Sequence, residues 1–310
     1  CVRPQARARG IQDQAASVYA NLRVLLKQQD VRPQDVLTER LFFADIAAHT
    51  GAAHDARADF YGTDGPDLPA STFLQQPPAA DGRLLELQVY VLYSPSGTQR
   101  VEAVAGLPAA TEGKRVTEPG LTHIHLQNLT ADDALCAADF RSQCQGLFDQ
   151  IGRVLDDHGL SVQQLLRTWI YLRDLDLDYG VLNEVRNACF AEWGVTYLPA
   201  STGIEGGTHP TTWRICADVC IGWGDNLDEI DEMHGESLGN AFDYGSAFSR
   251  GLCVQRMDRT LLYVSGTASI DTEGNVVHVG DIEGQCRRML DNVEALLRPH
   301  GATLADSIHA

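Results

Sequence analysis

The stretch FRSQCQGLFDQIGRVLDDHGLSVQQLLRTWIYL, residues 140–172, decides how this chain folds. Its first half places apolar side chains at i, i+3, i+4, i+7, i+10 and i+11, which is the spacing of one face of an amphipathic helix. These side chains are Cys144, Leu147, Phe148, Ile151, Val154 and Leu155. A strand at 165–172, a second helix around 181–193 and the motif LPAST at 198–202 complete the predicted unit.

The same unit recurs on both sides of this stretch. The helix face reappears earlier in the chain as Ala15, Val18, Tyr19, Leu22, Leu25 and Leu26. It reappears later as Cys286, Met289, Leu290, Val293, Leu296 and Leu297. LPAST is also found at 68–72, at nearly the same distance from its helix. The chain is therefore predicted to carry three copies of one unit, of which the first and third are incomplete.

The predicted boundaries follow from the repeats and from the polar stretches between them. Residues 1–96 form a first unit without opening strands, and 97–224 form a complete second unit that begins with a loop-like connection at 97–118. An acidic linker is expected at 225–240, and a third unit, truncated at its C-terminal end, at 241–310. A complete unit reads as β-β-α-β-α-β, which predicts an α+β fold with helices on one face of a mixed sheet.

Composition narrows the class of protein. The chain has 310 residues, enough for two or more domains, and no apolar window approaches the roughly 20 residues of a membrane helix. A net charge of -18 argues against nucleic-acid partners, because phosphate backbones are bound by clustered Lys and Arg. The chain opens on Cys1, close to a helix, and its last residues align with the middle of a strand, so a fragment lacking both ends is expected.

Eight cysteines are present without a CxxC pair, which favours free thiols in a cytoplasmic protein over a disulfide framework. Cys144, Cys189 and Cys286 lie on helix faces that we expect to be buried. The acidic run at 225–236 lacks the ligand pattern of a calcium loop, so no metal site is predicted there. No cofactor is predicted either.

Several segments resemble the Rid superfamily, also called YjgF or UK114. They are VSGTASID (264–271), DIEGQCRRMLDNVEALLRPHGATLAD (281–306), TWIYLRDLD (168–176) and VLNEVRNACF (181–190). Proteins of this superfamily are trimers with clefts between subunits. The resemblance implies tandem Rid-like units with a chorismate-mutase-like topology, which form a pseudo-trimeric ring within one chain or by self-association.

Within that superfamily the chain is most similar to the chorismatases, which hydrolyse the enolpyruvyl ether of chorismate. The similarity lies in LLRTWIYL (165–172), LPASTGIEGG (198–207), DYGSAFSRG (243–251) and SGTASI (265–270) with VHVGDIEGQC (277–286). It implies that Arg167 and Arg186 bind substrate carboxylates. The residues implied to line the pocket are Tyr244, Phe248, Gly266 and Thr267.

A catalytic glutamate is the uncertain part of this resemblance. The chorismatase glutamate lies on a final strand that has no counterpart in the third unit, and Glu86, in LLELQ of the first unit, is the visible substitute. The simpler Rid activity, hydrolysis of enamines or imines, needs an arginine directly after Pro-Ala. Ser71 and Ser201 stand at those positions, and a serine cannot form the bidentate pair that arginine makes with a carboxylate.

Each candidate residue also has a structural interpretation. Alternation in 165–172 predicts one face with Leu166, Thr168, Ile170 and Leu172, and another with Arg167, Trp169 and Tyr171. The arginine face could line a cleft or face solvent. Arg186 could form a surface salt bridge, and Glu86 could point outward.

Three functions remain open at this stage. The first is chorismatase-like hydrolysis, the second is enamine or imine hydrolysis, and the third is non-catalytic binding of a small ligand. All three predict a small carboxylate as partner, and none involves nucleic acid or a membrane.

Overall fold

The structure is a computed structural model, and it describes residues 1–5, 8–62, 68–93, 97–225, 227–239, 245–256 and 259–308, without the side chain at 228. Three groups of elements follow one another along the chain, and each contains a sheet with helices on one face. The α+β class and the tandem arrangement predicted from the sequence are thereby confirmed.

The first unit begins with an amphipathic helix, whose apolar residues between 15 and 26 pack against the sheet. Its elements are α1 (Ile11–Gln28), β1 (Val36–Phe43), α2 (Ile46–Tyr61), β2 (Ala70–Gln75) and β3 (Leu85–Val91). Both helices cover the same face of the sheet in one apolar core.

The second unit contains the stretch from which the fold was predicted. Its elements are β4 (Arg100–Ala103), β5 (Glu112–Glu118), β6 (Leu121–Leu129), α3 (Phe140–Asp157), β7 (Leu165–Leu172), α4 (Leu175–Glu192), β8 (Ala200–Glu205), β9 (Gly207–Thr208) and β10 (Ile215–Trp223). The connection expected at 97–118 is wrong, because this segment forms β4 and β5, which pair with each other and continue to β6.

The third unit comprises β11 (Leu227–Glu232), β12 (Gly251–Arg256), β13 (Thr260–Val264) and α5 (Ile282–Leu297). The acidic run was expected to be a solvated linker, but it forms β11, antiparallel to β12. The reason is that Leu227 and Ile230, spaced among the acids, pack on Leu252 and Val254 of β12.

The strand orders are β3-β1-β2-β9, β4-β5-β6-β10-β7-β8 and β11-β12-β13. The pairs β1–β2 and β7–β8 are parallel, so these sheets are mixed. The helix-free faces pack on one another: Leu74 of the first sheet contacts Tyr171 and Cys216 of the second, and Cys220 of the second contacts Leu252 of the third. The space between these faces is called the interior below.

One irregularity in β7 changes which side chains reach the interior. The pairing of β7 with β10 shifts between Cys220 and Ile221, and this bulge turns Leu166 to the interior, where it packs with Cys220. The predicted grouping of Leu166 with Thr168, Ile170 and Leu172 is therefore wrong for Leu166.

The described cysteines are free thiols, and Cys144 and Cys189 are buried as predicted. Cys286 is exposed, which contradicts its predicted burial. Met289 and Leu290 on the same helix are 37% and 45% exposed, because no described helix covers α5 as α4 covers α3.

Candidate functional site

The repeated motif LPAST builds the same contact at two interfaces. Where the first unit meets the second, the backbone N–H of Asn128 donates to the Thr72 hydroxyl oxygen at 2.8 Å. Where the second unit meets the third, the backbone N–H of Gly266 donates to the Thr202 hydroxyl oxygen, also at 2.8 Å. Each of these threonines closes a copy of LPAST. A peptide N–H beside a threonine hydroxyl, which we call the cradle, therefore occurs twice.

The cradle at the first interface holds a carboxylate that belongs to the chain. Asp218 is fully buried on β10, and its Oδ1 accepts from the Asn128 N–H at 3.1 Å and from the Thr72 hydroxyl. Its Oδ2 accepts from the Tyr171 hydroxyl at 3.0 Å and pairs with the Arg40 guanidinium. Four donors, one of them charged, satisfy this carboxylate without water.

The cradle at the second interface faces a cation. Arg167 is 4% exposed, and its guanidinium donates to the Thr202 hydroxyl oxygen and, at 2.8 Å, to the backbone oxygen of Thr168. The guanidinium carbon lies 4.3 Å from the ring centre of Trp169. The Thr202 oxygen accepts from both Arg167 and Gly266, and its own hydrogen is donated to no acceptor among the described residues.

Arg167 differs from other buried arginines of the chain. Buried Arg40 pairs with Asp218, and the less buried Arg57 and Arg256 also pair with carboxylates, whereas no carboxylate of the described residues lies within 4 Å of Arg167. Burial lowers the pKa of Arg167 to about 9, and the Arg40 guanidinium acts in the same direction. A carboxylate placed beside Arg167 would oppose both effects.

The turn at Gly266 is held closely against β8. A Cβ at this position would lie 2.7 Å from Cγ2 of Thr202, so the close approach of the peptide N–H requires glycine. The Ser265 hydroxyl accepts from the Ser201 N–H at 2.8 Å and fixes the start of the turn. Thr267 follows, and its buried hydroxyl oxygen makes no hydrogen bond with the described residues.

Two further predicted residues meet on the helix side of the sheet. Arg186 on α4 is 2% exposed, so the surface salt bridge considered for it is wrong. Its guanidinium carbon lies 5.3 Å from the ring centre of Phe248, and it donates to Asn183 Oδ1 at 2.5 Å. Because α4 packs on the face of β7 opposite Arg167, the sheet separates the two arginines predicted to share a substrate.

Arg167 and Tyr171 of β7 are buried and Trp169 between them is half-buried, so the arginine face is not a solvated sheet surface. Glu86 lies on β3 in the first unit, where it pairs with Nε of Arg3 at 2.8 Å and is not in hydrogen-bond contact with Arg167, Arg186 or Gly266. The structure thus brings Arg167 and Gly266 together through Thr202, and it leaves Glu86 apart. Tyr244 lies outside the described residues.

In the first unit, Arg57 stands at the position that corresponds to Arg186 in the second unit, and a carboxylate of the chain pairs with it. Glu39, fully buried on β1, pairs with Arg57 of α2, and the Ser71 hydroxyl donates to Glu39 Oε1 at 2.9 Å. Burial raises the pKa of Glu39, although Arg57 opposes this shift. Aligning VLTERLFF (36–43) with LLRTWIYL (165–172) places Thr168 at the position of Glu39. Thr168 instead donates to the Ser201 hydroxyl at 2.8 Å.

Sequence reasoning missed Asp218 and Thr202. A signal for the first was present, since an aspartate in the middle of ICADVCI (215–221) interrupts an otherwise apolar strand and so needs buried partners. Among the described residues no three His, Cys, Asp or Glu side chains are grouped as metal ligands. No helix of the described part is long and apolar enough to cross a membrane.

No protein-family model matches the chain. A member of the YjgF protein family from Neisseria meningitidis matches 39% of this chain and 93% of its own, at 25% identity and a TM-score of 0.31. The YjgF gene product from E. coli matches 34% of this chain and 84% of its own, at 20% identity and a TM-score of 0.30. A YjgF/YER057c/UK114 family member from Mycobacterium tuberculosis matches 34% and 82%, at 17% identity and a TM-score of 0.28. A part of this chain is thus similar to solved structures of the YjgF/UK114 family, the resemblance indicated by the sequence.

Proposed function

We propose that the interface between the second and third units binds a small carboxylate. The observation that supports this proposal is the repeated cradle, which holds the Asp218 carboxylate at the first interface. At the second interface the Thr202 hydroxyl oxygen accepts hydrogen bonds from the Gly266 N–H and from the Arg167 guanidinium. A ligand carboxylate there would accept from Arg167 and from the Thr202 hydroxyl hydrogen, as Asp218 accepts from Arg40 and Thr72.

The surroundings favour a ligand whose remaining part is cyclic and mostly apolar. Leu166, Cys220, Leu252 and Val254 form the buried cluster between the second and third sheets, with Tyr263 packed against it. Small-molecule sites commonly combine such an apolar lining with a few well-placed polar groups. The guanidinium over Trp169 supplies the charged end of the site.

We propose chorismatase-like hydrolysis of an enolpyruvyl ether as the reaction on this ligand. The support is that β7 and the LPAST strand β8, which carry much of the chorismatase resemblance, are the strands that hold Arg167 and Thr202. Cleavage of an enol ether requires a proton donor. Glu86, predicted as that donor, is paired with Arg3 in the first unit, so the geometry supports binding more directly than hydrolysis.

Enamine or imine hydrolysis is less well supported. It calls for an arginine at position 201, whereas the Ser201 hydroxyl accepts a hydrogen bond from Thr168 inside the sheet. Arg167 offers a cation on the neighbouring strand, at a different position from the one that activity uses.

The test is calorimetric titration of the protein with benzoate, comparing Arg167→Met with Arg287→Met. Arg287 lies on α5 in an exposed pair with Glu283, so its replacement is a control for loss of one positive charge. We expect Arg167→Met to weaken binding by roughly 10–100-fold, the loss of a charge-assisted hydrogen-bond pair. The control should bind as the unmodified protein does. Equal affinities of both variants would overturn the carboxylate site.

Incubation with chorismate distinguishes a hydrolase from a binder. Release of pyruvate that Arg167→Met abolishes is the result expected for chorismatase-like hydrolysis. Binding of chorismate that depends on Arg167, without release of pyruvate, would contradict hydrolysis and leave the carboxylate site in place.

A further inference from the structure

A cleft of about 360 Å³ lies between the first and second units, where the strands β2 and β8 end. Groups from both units line it, among them Ile46, Gln75, Pro77, Arg173, Glu205 and Thr211. The cleft is far from the proposed carboxylate site, because Arg167 pairs with the first residue of β8, Ala200, whereas Glu205 is the last. Five residues of extended strand separate these two positions of β8 by about 16 Å. The volume of the cleft is within the range of small-molecule sites.

Backbone pairing fixes the two units to each other beside this cleft. Gly207 and Thr208, which form β9 of the second unit, pair with Gln75 and Leu74 of β2 in the first unit. A Cβ at position 207 would lie 2.8 Å from Cβ of Gln75, so this close pairing requires glycine. One side of the cleft is therefore formed by a hydrogen-bonded pair of strands.

Arg173, directly after β7, brings a positive charge to the cleft. Its Nη2 donates to the backbone oxygens of Thr211 and Trp213, the latter at 2.6 Å, which holds the guanidinium in place. Its Nε and Nη1 make no hydrogen bond within the part of the chain that the structure describes, and no carboxylate of that part lies within 4 Å of it. The side chain is exposed. Arg173 can therefore pair with a carboxylate from outside the chain through its remaining nitrogens.

Glu205, the last residue of β8, brings a negative charge to the same cleft. Its side chain is exposed, and its Oε2 accepts from the backbone N–H of Leu175, the first residue of α4, at 3.3 Å. No Lys, Arg or His nitrogen among the described residues lies within 4 Å of its carboxylate. The charge of Glu205 is thus not neutralised by an ion pair with the described residues.

The first unit shows that the contact of Glu205 with the helix does not need this charge. Aligning the two copies of LPAST, at 68–72 and 198–202, places Gln75 at the position of Glu205. Oε1 of Gln75 accepts from the backbone N–H of Ile46, the first residue of α2, also at 3.3 Å. A neutral amide therefore makes the same hydrogen bond at the start of the equivalent helix, and this hydrogen bond alone does not require a carboxylate at position 205.

Two opposite charges line one cleft without pairing with each other. An anion would be attracted by Arg173 and repelled by Glu205, and a cation the reverse, whereas a molecule that carries both charges is attracted by both residues. We propose that this cleft binds a small zwitterion, with its carboxylate at Arg173 and its ammonium group at Glu205. Pro77 offers an apolar contact for the short hydrocarbon between the two charges. This site is separate from the one at Arg167 and does not depend on the function proposed above.

The test is titration calorimetry with β-alanine, with propionate and ethylamine as analogues that carry only one of its charges. The unmodified protein should bind β-alanine about tenfold more tightly than either analogue, the effect of one further charge-assisted hydrogen bond. Arg173→Met and Glu205→Gln should each weaken the binding of β-alanine by about tenfold, for the same reason.

The controls are substitutions in exposed ion pairs elsewhere on the surface. Arg287→Met and Glu184→Gln remove the same charges, and both variants should bind β-alanine as the unmodified protein does. Arg173→Lys keeps the positive charge and should retain part of the affinity, which provides a second variant if Arg173→Met does not fold.

Three outcomes would overturn the zwitterion site. The first is binding of propionate as tight as that of β-alanine, which would indicate a simple anion site. The second is an affinity for β-alanine that neither Arg173→Met nor Glu205→Gln changes. The third is loss of β-alanine binding in Arg167→Met, which would place the ligand at the second interface instead of this cleft.

Discussion

Arg167 is a buried cation whose hydrogen-bond acceptors, the Thr168 carbonyl and the Thr202 hydroxyl, are neutral. Transfer of a charge into a protein interior costs free energy unless a partner of opposite charge and hydrogen bonds compensate it. The Thr168 carbonyl, the Thr202 hydroxyl and the Trp169 ring compensate part of this cost, and the lowered pKa of Arg167 reflects the remainder. An anion that reaches the guanidinium therefore gains free energy that the unliganded protein does not use.

Gly266 provides a test of the cradle that leaves the cation in place. In Gly266→Ala, the added Cβ would meet Thr202 Cγ2 at 2.7 Å and push the peptide N–H away from β8. We expect benzoate affinity to fall about tenfold and the free energy of unfolding to fall by about 1–3 kcal/mol, as for other overpacked sites.

Gly51→Ala is the matched control for that substitution. Gly51 lies inside α2, and a Cβ there has no neighbour within 4 Å. Alanine should stabilise the helix by about 0.5–1 kcal/mol and leave benzoate binding unchanged. An alanine at 266 that binds benzoate as tightly as this control would show that the turn is not part of the site.

At the residue scale the sequence predicted two residues of the proposed carboxylate site and missed a third. Arg167 and Gly266 stand in segments with a recognisable resemblance, whereas Thr202 was part of LPAST without an assigned role. Leu166 was assigned to the wrong face because a bulge shifts the strict alternation that the prediction assumed.

At the scale of elements, paired strands and repeated motifs explain why the two interfaces are alike. Each LPAST strand runs parallel to its neighbour, β2 beside β1 and β8 beside β7, and ends a helix–strand connection of the same kind. The two interfaces differ in charge at one position, because Asp218 reaches only the first cradle. Among the described residues, no carboxylate takes the place of Asp218 at the second cradle.

Asp218 should be among the most sensitive positions of the interface between the first and second sheets. Asp218→Asn leaves the Arg40 guanidinium, on the opposing sheet, buried without its carboxylate. We expect the free energy of unfolding to fall by about 3–5 kcal/mol in urea titrations.

The control for that loss is an exposed pair. Glu184 pairs with Arg141 on the surface of the helix layer, with side chains 65% and 55% exposed, so Glu184→Gln should cost less than about 1 kcal/mol. Similar losses for the two variants would mean that the Arg40–Asp218 pair does not hold the two sheets together.

The helices α1 and α3 were predictable from their 3.6-residue periodicity, and β7 was predicted with its observed bounds, 165–172. The short polar strands were not. In β5 and β11 charged residues outnumber apolar ones, and in β4 they equal them. No apolar alternation marks these strands, and their pairing to neighbours decides their structure.

At the scale of the whole molecule, three sheets turn their helix-free faces toward one interior within a single chain. This arrangement places residues of two units around each cradle. The repeats differ in charge. In the first unit Glu39 pairs with Arg57, and at the first interface the Asp218 carboxylate occupies the cradle. At the second interface the Arg167 guanidinium has no carboxylate within 4 Å among the described residues.

The most direct measurement is a crystal structure of the protein with bound benzoate. We expect the carboxylate within about 3 Å of the Arg167 guanidinium and the Thr202 hydroxyl. A ligand bound elsewhere would contradict the carboxylate site at the second interface. One such place is the cleft of about 360 Å³ that Gln75, Arg173 and Thr211 help to line between the first and second units.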